Sequence, residues 1–311
     1  MKIYKTIEEY KPVKNAVVTT GTFDGVHIGH QKIISQLKQI AQNENGETVL
    51  LTLFPHPRMV LYPDDTDLKM LNTIDEKIAS LDKHGIEHLI IQPFTKKFSR
   101  LTSTQYVRDI LANKIGTKKL VIGYNHHFGR NREGSFKQLV ELAPLYDFTV
   151  VEIPKHDIYN IAVSSTRIRE SLLKGDIKTA RTFLGYDFSL SGKVVEGKKI
   201  GAAIGFPTAN IEVKEKYKII PAEGIYSAKI LLKEQTYNGM LYIGKRPTLH
   251  GVSQTIEVNI FDFNQTIYNE PITVIFKEWI REDKKLNDLE ELRLQLIKDK
   301  EAVLNSKLLN C

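Results

Sequence analysis

The sequence predicts a two-domain α/β protein: a parallel sheet with helices on both faces, then an antiparallel β-barrel with a terminal helix. Three observations predict it. At 311 residues the chain is long for one core. Its first half alternates short apolar runs with amphipathic helical patterns, the grammar of a parallel sheet. Past residue 184 strand-like runs follow at short spacing with no helices between them, which suggests a sandwich or barrel. The expected domains are therefore residues 1–184 and 185–311.

Taken in order, Ala16-Val17-Val18 begins a strand that ends near Gly21, and a helix follows with His27 and His30 in its first turn. Val49 to Leu53 is a second buried strand, closed by a loop at Phe54-Pro55-His56-Pro57. His56 there is either a turn residue or a pocket residue. A helix from Ile74 to His84, a strand from His88 to Ile91, a helix from Ser103 to Asn113 and a strand from Leu120 to Ile122 continue the alternation. The loop Gly123 to Gly134, with its histidines and arginines, suits a substrate pocket better than a passive connection. Helix Ser135 to Leu145 and strand Phe148 to Glu152 complete this half.

A helix start at Ser164 or Ser165 would put Arg167 and Arg169 in a first turn, where cations oppose the helix dipole unless an anion is bound. A phosphate site and an ordinary solvated helix start both fit that pattern. After the helix Ile177 to Leu184, strands are expected at Phe188–Val195, Gly224–Ile230, Tyr237–Ile243, Thr255–Ile260 and Ile272–Phe276. Leu289, Leu292, Leu296 and Ile297 recur at helical spacing, so Leu286 to Leu308 reads as an amphipathic helix packed on the barrel.

Composition narrows the function classes. Hydrophobic content of 41% and charged content of 26% are those of a globular protein. No run reaches the roughly 18 apolar residues of a membrane span, and Met1-Lys2-Ile3-Tyr4-Lys5 lacks the apolar core of a secretory signal, so a cytoplasmic protein with no membrane partner is expected. The lone cysteine, Cys311, excludes an intrachain disulfide. A net charge of +7, spread without a run of basic residues, suits phosphate-rich small substrates better than nucleic acid.

Two stretches carry chemistry. In Gly21-Thr22-Phe23-Asp24-Gly25-Val26-His27-Ile28-Gly29-His30, two imidazoles three residues apart share a helix face at an N-terminus, whose N–H groups and positive dipole end suit phosphate oxygens. Such donors can stabilise charge at the α-phosphate of a nucleoside triphosphate without an enzyme nucleophile. In Gly205-Phe206-Pro207-Thr208-Ala209-Asn210, Thr208 and Asn210 would face one side of an extended strand and reach Mg²⁺ and phosphate, or form a polar barrel turn. Glu257, opposite the aliphatics of its strand, is either a general base or a solvated glutamate.

The Thr22 to His30 context with Val163-Ser164-Ser165-Thr166 downstream resembles the nucleotidyltransferase superfamily. Adding the Gly123 to Gly134 loop, Gly205 to Asn210, Pro221-Ala222-Glu223-Gly224-Ile225-Tyr226, Ile243 to Thr248 and Glu257 before Asp262-Phe263, nearly the whole chain resembles the prokaryotic bifunctional riboflavin kinase/FAD synthetases. The resemblance implies a Rossmann-like nucleotidyltransferase domain and a riboflavin kinase-like barrel, with ATP, Mg²⁺, riboflavin, FMN and FAD as substrates, cofactor and products. It implies that His27, His30 and Arg169 act on ATP phosphates, and that Gly21, Phe23, Asp24, Gly25, Asn125, Ser164, Ser165 and Thr166 help seat the adenylylation substrates. Glu257 would be the kinase base, Gly205 and Pro207 would shape the nucleotide loop, and Thr208 and Asn210 would hold Mg²⁺. Two positions depart from the family pattern: Ala202 replaces an arginine and Asn259 a histidine. They leave room for an enzyme in which adenylylation is the stronger activity, and an RNA-binding or regulatory protein on the same fold is the alternative from a different class.

Overall fold

The computed structural model describes residues 1–65, 68–124, 126–153, 163–197, 200–248, 251–306 and 309, the side chains at 200, 246–248 and 251–253 excepted. Asn125 and Cys311 lie outside the described residues. The chain divides into two compact units, Met1–Ser165 and Thr166–Cys311.

In the first unit β1 (Lys2–Tyr4), β2 (Ala16–Thr20), β3 (Thr48–Phe54), β4 (His88–Pro93), β5 (Thr117–Gly123) and β6 (Thr149–Ile153) form a six-stranded sheet in the order β1-β4-β3-β2-β5-β6. Every neighbouring pair is parallel. Because successive side chains point to opposite faces, Val18, Val49, Leu51 and Leu120 enter one core while Val17, Leu50, Leu89 and Val121 enter the other. The strand order reverses between β2 and β5. In open α/β sheets the ligand crevice lies at that reversal, beyond the carboxyl ends of the strands, so the loops after β2 and β5 share the position where a site is expected.

Helices α1 (Ile28–Asn43), α2 (Pro57–Leu61), α3 (Ile74–Lys83), α4 (Ser103–Gln105) and α5 (Phe136–Leu142) cover the sheet connections. The start of α3 is fixed by a capping box in which Thr73 Oγ1 accepts from the Glu76 N–H and the Glu76 carboxylate accepts from the Thr73 N–H. Two expectations are corrected. The segment expected as a proline loop becomes helical at Pro57, since a first-turn proline loses no intrahelical bond, and His56 Nδ1 accepts from the Arg58 N–H as the cap. The helix expected over 103–113 is α-helical for one turn and then a π-helix, Tyr106–Ile115. Its i to i+5 bonding leaves no trace in the apolar spacing.

The second unit holds α6 (Ser165–Leu173, from its second residue) and α7 (Ile177–Leu184) beside a closed antiparallel barrel. Strands β7 (Ser189–Val195), β8 (Ala209–Glu212), β9 (Gly224–Leu232), β10 (Gln235–Thr248), β11 (Gly251–Ile260) and β12 (Pro271–Arg281) run in the order β10-β11-β8-β7-β12-β9. The helix pair is tied to the barrel by the Ala222 N–H donating to the Leu172 carbonyl, and Asp187 receives both Lys277 at 2.7 Å and Arg181 at 3.0 Å. Gly175 turns the chain at φ +75°, with the Trp279 ring 2.9 Å from where its Cβ would stand. Between β7 and β8 lies α8 (Ile200–Ala203), a turn of helix absent from the expected pattern.

The terminal helix, α9 (Leu289–Leu304), is shorter than expected because Asp288 caps it, accepting from the Glu291 N–H. Asp299 on its inner face is 2% exposed and pairs bidentately with Arg281 of β12 at 2.7 and 2.6 Å. Deleting one partner of such a pair leaves a buried charge uncompensated. Asp299→Ala is expected to lower the unfolding free energy of the barrel unit by about 3 kcal/mol in urea titrations, more than the exposed Glu290→Ala on the same helix.

Candidate active sites

The first candidate site is built by the turn after β2. Gly21 leaves the strand with its N–H donating to the Leu51 carbonyl, and the chain then passes through positive φ at Phe23 (+47°), Gly25 (+82°) and Val26 (+35°). Only glycine adopts this region freely, and each other residue held there costs about 1–3 kcal/mol. The surroundings supply the compensation. The Asp24 carboxylate is 2% exposed and accepts from the Leu71 and Asn72 N–H groups, while its own carbonyl accepts from Ser165 Oγ at 2.9 Å. The Thr22 carbonyl accepts from Lys77 Nζ at 2.7 Å and Thr52 Oγ1 at 3.2 Å.

This clamp delivers the chain to α1 with His27 at the N-cap, and the first intrahelical bond runs from the Gln31 N–H to the His27 carbonyl. The N–H groups of Ile28, Gly29 and His30 therefore stand outside the helical ladder, at the positive end of the dipole. The rings of His27 and His30 stack with centroids 3.7 Å apart, and Phe23 lies against His30 at 4.9 Å. Burial, then His27 and Lys77, hold the His30 imidazole well below its ordinary pKa. A neutral, donor-rich pocket of this kind gains by receiving an anion, which lifts the penalty on imidazolium.

Gly21, Phe23, Asp24, Gly25, His27, His30 and Ser165 are thus brought together in one unit, although Ser165 is 141 residues from Asp24. Ser164 precedes α6 and is half-buried. Thr166 is exposed and Arg169 half-buried, and both belong to the second unit. Because α6 starts at Ser165, Arg167 is in its first turn and Arg169 one residue beyond, which corrects the expectation that both lie there. The dipole argument for a phosphate thus weakens for Arg169.

The loop after β5 folds back on itself through Phe128 and Gly134, which exchange backbone bonds. Gly129 sits at φ +73° against Ser103, and the Glu133 carboxylate accepts from the Ser103 N–H at 2.9 Å. Arg130 and Arg132 remain exposed. His126 is stacked on Phe128, and burial, aided by His127 and Arg132, pushes its pKa down to about 4.

The second candidate site lies in the barrel. Glu257 (8% exposed) and Asn210 are opposed in the β11–β8 ladder, and Thr208, just before β8, donates its hydroxyl proton to Glu257 Oε2 at 2.9 Å. Asn259 Nδ2 donates to the Pro207 carbonyl at 2.7 Å, so the same strand that carries Glu257 also holds the loop in front of it. Gly205 turns this loop at φ +84° with open space where a Cβ would be. The Asn210 amide packs against Gly197, which only a glycine permits. A hydroxyl, an amide oxygen and a carboxylate on one side form a hard-oxygen set that fits a magnesium ion shared with phosphates. No cluster of three or more acidic, histidine or cysteine side chains fit for a metal occurs among the described residues.

Two features of these sites were not singled out from sequence. Lys77 stands in the stripe Ile74, Lys77, Ile78 and Leu81 that faces the core, so a cation at an apolar position was the available signal. The bracing of Pro207 by Asn259 had none, since the two are 52 residues apart.

Residues 10–167 match the family model described as FAD synthetase, and residues 184–307 the one described as riboflavin kinase. The chain is 36% identical over 309 residues to a protein of Buchnera aphidicola subsp. Schizaphis graminum named bifunctional riboflavin kinase/FMN adenylyltransferase, covering 97% of this chain and 98% of that one. A Listeria monocytogenes protein of the same name is 35% identical over 298 residues, covering 95% and 93%. Among solved structures, one titled macrolide-efflux protein from Streptococcus pneumoniae superimposes with a TM-score of 0.89 at 30% identity, covering 98% and 99%. No described helix of this chain is long and apolar enough to cross a membrane.

The half-buried His126 makes a pH prediction. Its folded pKa of about 4 lies below the unfolded value of 6.5, so its contribution is complete above pH 6.5 and is lost as the pH falls toward 4. The loss amounts to about 3 kcal/mol across that window. Urea titrations at pH 7.5 and 4.5 are expected to show a smaller loss for His126→Gln than for the wild type.

Proposed function

The chain belongs to the family of bifunctional riboflavin kinase/FMN adenylyltransferases, and from that membership we propose which residues carry each of its two reactions. The enzyme phosphorylates riboflavin with ATP to give FMN and joins FMN to AMP, giving FAD and pyrophosphate. We assign adenylylation to residues 1–184 and phosphorylation to residues 185–311, a division that the limits of the two family models support. The observation that carries it is that the stacked His27–His30 pair and the Thr208–Glu257 pair lie in separate compact units.

In adenylylation an FMN phosphate oxygen attacks the α-phosphorus of ATP and pyrophosphate leaves. His27, His30 and the N–H groups at the start of α1 meet the charge that grows on the α-phosphate oxygens, an electrostatic contribution that needs no covalent intermediate. Gly21, Phe23, Asp24 and Gly25 shape the turn, Ser165 fixes it, and Asn125, Ser164, Thr166 and Arg169 complete the binding of flavin and phosphates by the family pattern.

In phosphorylation Glu257 takes the proton of the riboflavin 5′-hydroxyl as that oxygen attacks the γ-phosphorus of ATP, the bond to the β–γ bridging oxygen breaks, and ADP leaves. Thr208 orients the Glu257 carboxylate through its 2.9 Å hydrogen bond, and Gly205 and Pro207 shape the loop over the nucleotide. Thr208 and Asn210 would hold Mg²⁺, which supplies charge neutralisation of the phosphates when bound. ATP-dependent synthesis of a flavin cofactor supports a cytoplasmic setting and small-molecule partners.

Two substitutions separate the halves. With purified enzyme, ATP and magnesium, His30→Ala is expected to slow FAD formation from supplied FMN by about 100-fold or more while riboflavin phosphorylation persists. Glu257→Gln is expected to do the reverse, with kinase turnover down by about 100-fold or more. Chromatography of FMN and FAD measures both. Collapse of both activities in a folded variant would refute the division, and absence of both products from the wild type would refute the activity.

A further inference from the structure

We propose that Lys77 is a positioning residue for adenylyl transfer, tying down the turn after β2 and setting a fixed cation against that turn. The inference rests on the reading of His27 and His30 as the groups that meet ATP phosphates.

Three observations on the structure support it. Lys77 is 6% exposed, yet its Nζ reaches the Thr22 carbonyl at 2.7 Å, within the glycine-rich turn itself. That turn carries side-chain-bearing residues at positive φ, Phe23 and Val26, and so needs to be held from outside. The position belongs to the buried stripe of α3, where an apolar side chain would pack without the desolvation cost of an ammonium group. A cation is not what packing selects there.

The capping box at Thr73 and Glu76 fixes the register of α3, which sets where Lys77 projects. Burial lowers the pKa of Lys77 and the nearby Asp24 carboxylate opposes the shift, favouring the ammonium form. Asp24 is in turn held by the Leu71 and Asn72 N–H groups at the entrance to α3. The charged or titratable groups that act on His30 are His27, from the N-cap of α1, and Lys77, from α3. Removing the ammonium therefore has two consequences: the turn loses its tie at the Thr22 carbonyl, and the α-phosphoryl transition state loses a fixed positive charge.

The test uses the full-length enzyme with FMN, ATP and magnesium, comparing wild type, Lys77→Met and Lys77→Arg. Lys77→Met is expected to lower kcat for FAD formation by about 100-fold while the KM for ATP stays within about threefold of wild type. Riboflavin phosphorylation by the same protein is expected within about twofold of wild type, a check that the chain is folded and active in its other half. Lys77→Arg is expected to recover FAD formation to within about tenfold of wild type, since it restores the cation. A folded Lys77→Met variant with kcat for FAD formation within about threefold of wild type would overturn the proposal. Where the methionine variant lacks a native thermal transition, Lys77→Gln, which keeps an N–H donor without charge, is held to the same expectations. If neither neutral variant folds while the arginine variant does, the residue serves stability alone and the proposal fails. A wild-type enzyme that makes FMN but no FAD would instead refute the reading of the histidine site.

Discussion

The buried Asp24 is the point on which the first half of the molecule depends. Its carboxylate binds the backbone before α3, and its carbonyl binds Ser165, so the turn after β2, the capping segment of α3 and the downstream serine signature are joined at one residue. A carboxylate 2% exposed is tolerated only with its hydrogen-bonding capacity engaged. The segments around it are thereby tied to one another. That rigidity holds Phe23 and Val26 in conformations they would otherwise leave, and it presents His27 and His30 at the start of α1 before any substrate arrives.

The barrel uses a different device for the same end. Here β11 supplies both the carboxylate of Glu257 and the amide of Asn259, two residues apart on one face, and the amide holds the Pro207 carbonyl while the carboxylate holds the Thr208 hydroxyl. Asn259 is one of the two departures from the family pattern, and it retains a donor toward the loop. The other, Ala202, has its side chain exposed on α8, and its carbonyl accepts from the Gly205 N–H at 3.3 Å. Neither departure removes an atom from the arrangement around Glu257.

The two halves also differ in how strain and flexibility are distributed. In the first, donors from β3 and α3 converge on a single carbonyl, that of Thr22. In the second, the loop ahead of β8 relies on Gly205 in a left-handed conformation and on the close approach of Asn210 to Gly197, positions where a side chain would be strained or would clash. Preorganisation of the first site thus leans on buried polar bonds to the backbone, and that of the second combines two side-chain hydrogen bonds with glycines in the loops that lead to it.

Much of this was written in the sequence. The alternation of apolar runs and helical stripes gave five of the six sheet strands and most helices within a few residues, because burial on both faces of a parallel sheet demands continuous apolar runs; the short edge strand β1, mostly exposed and only three residues long, carries no such run. The motif from Gly21 to His30 placed a glycine turn and a helix start, and α1 begins there with His27 at its N-cap, a local property of the chain. Local rules also had local failures: the proline that starts α2 and the π-helix at Tyr106 differ from the expectation by hydrogen bonds that periodicity does not encode. What only the tertiary structure decided was the joining of distant residues: Ser165 to Asp24, Lys77 to Thr22, Asn259 to Pro207. A sequence records which groups need partners. Which partner each one finds is settled by strand order and packing, since a buried polar atom must bond whatever the fold brings within reach.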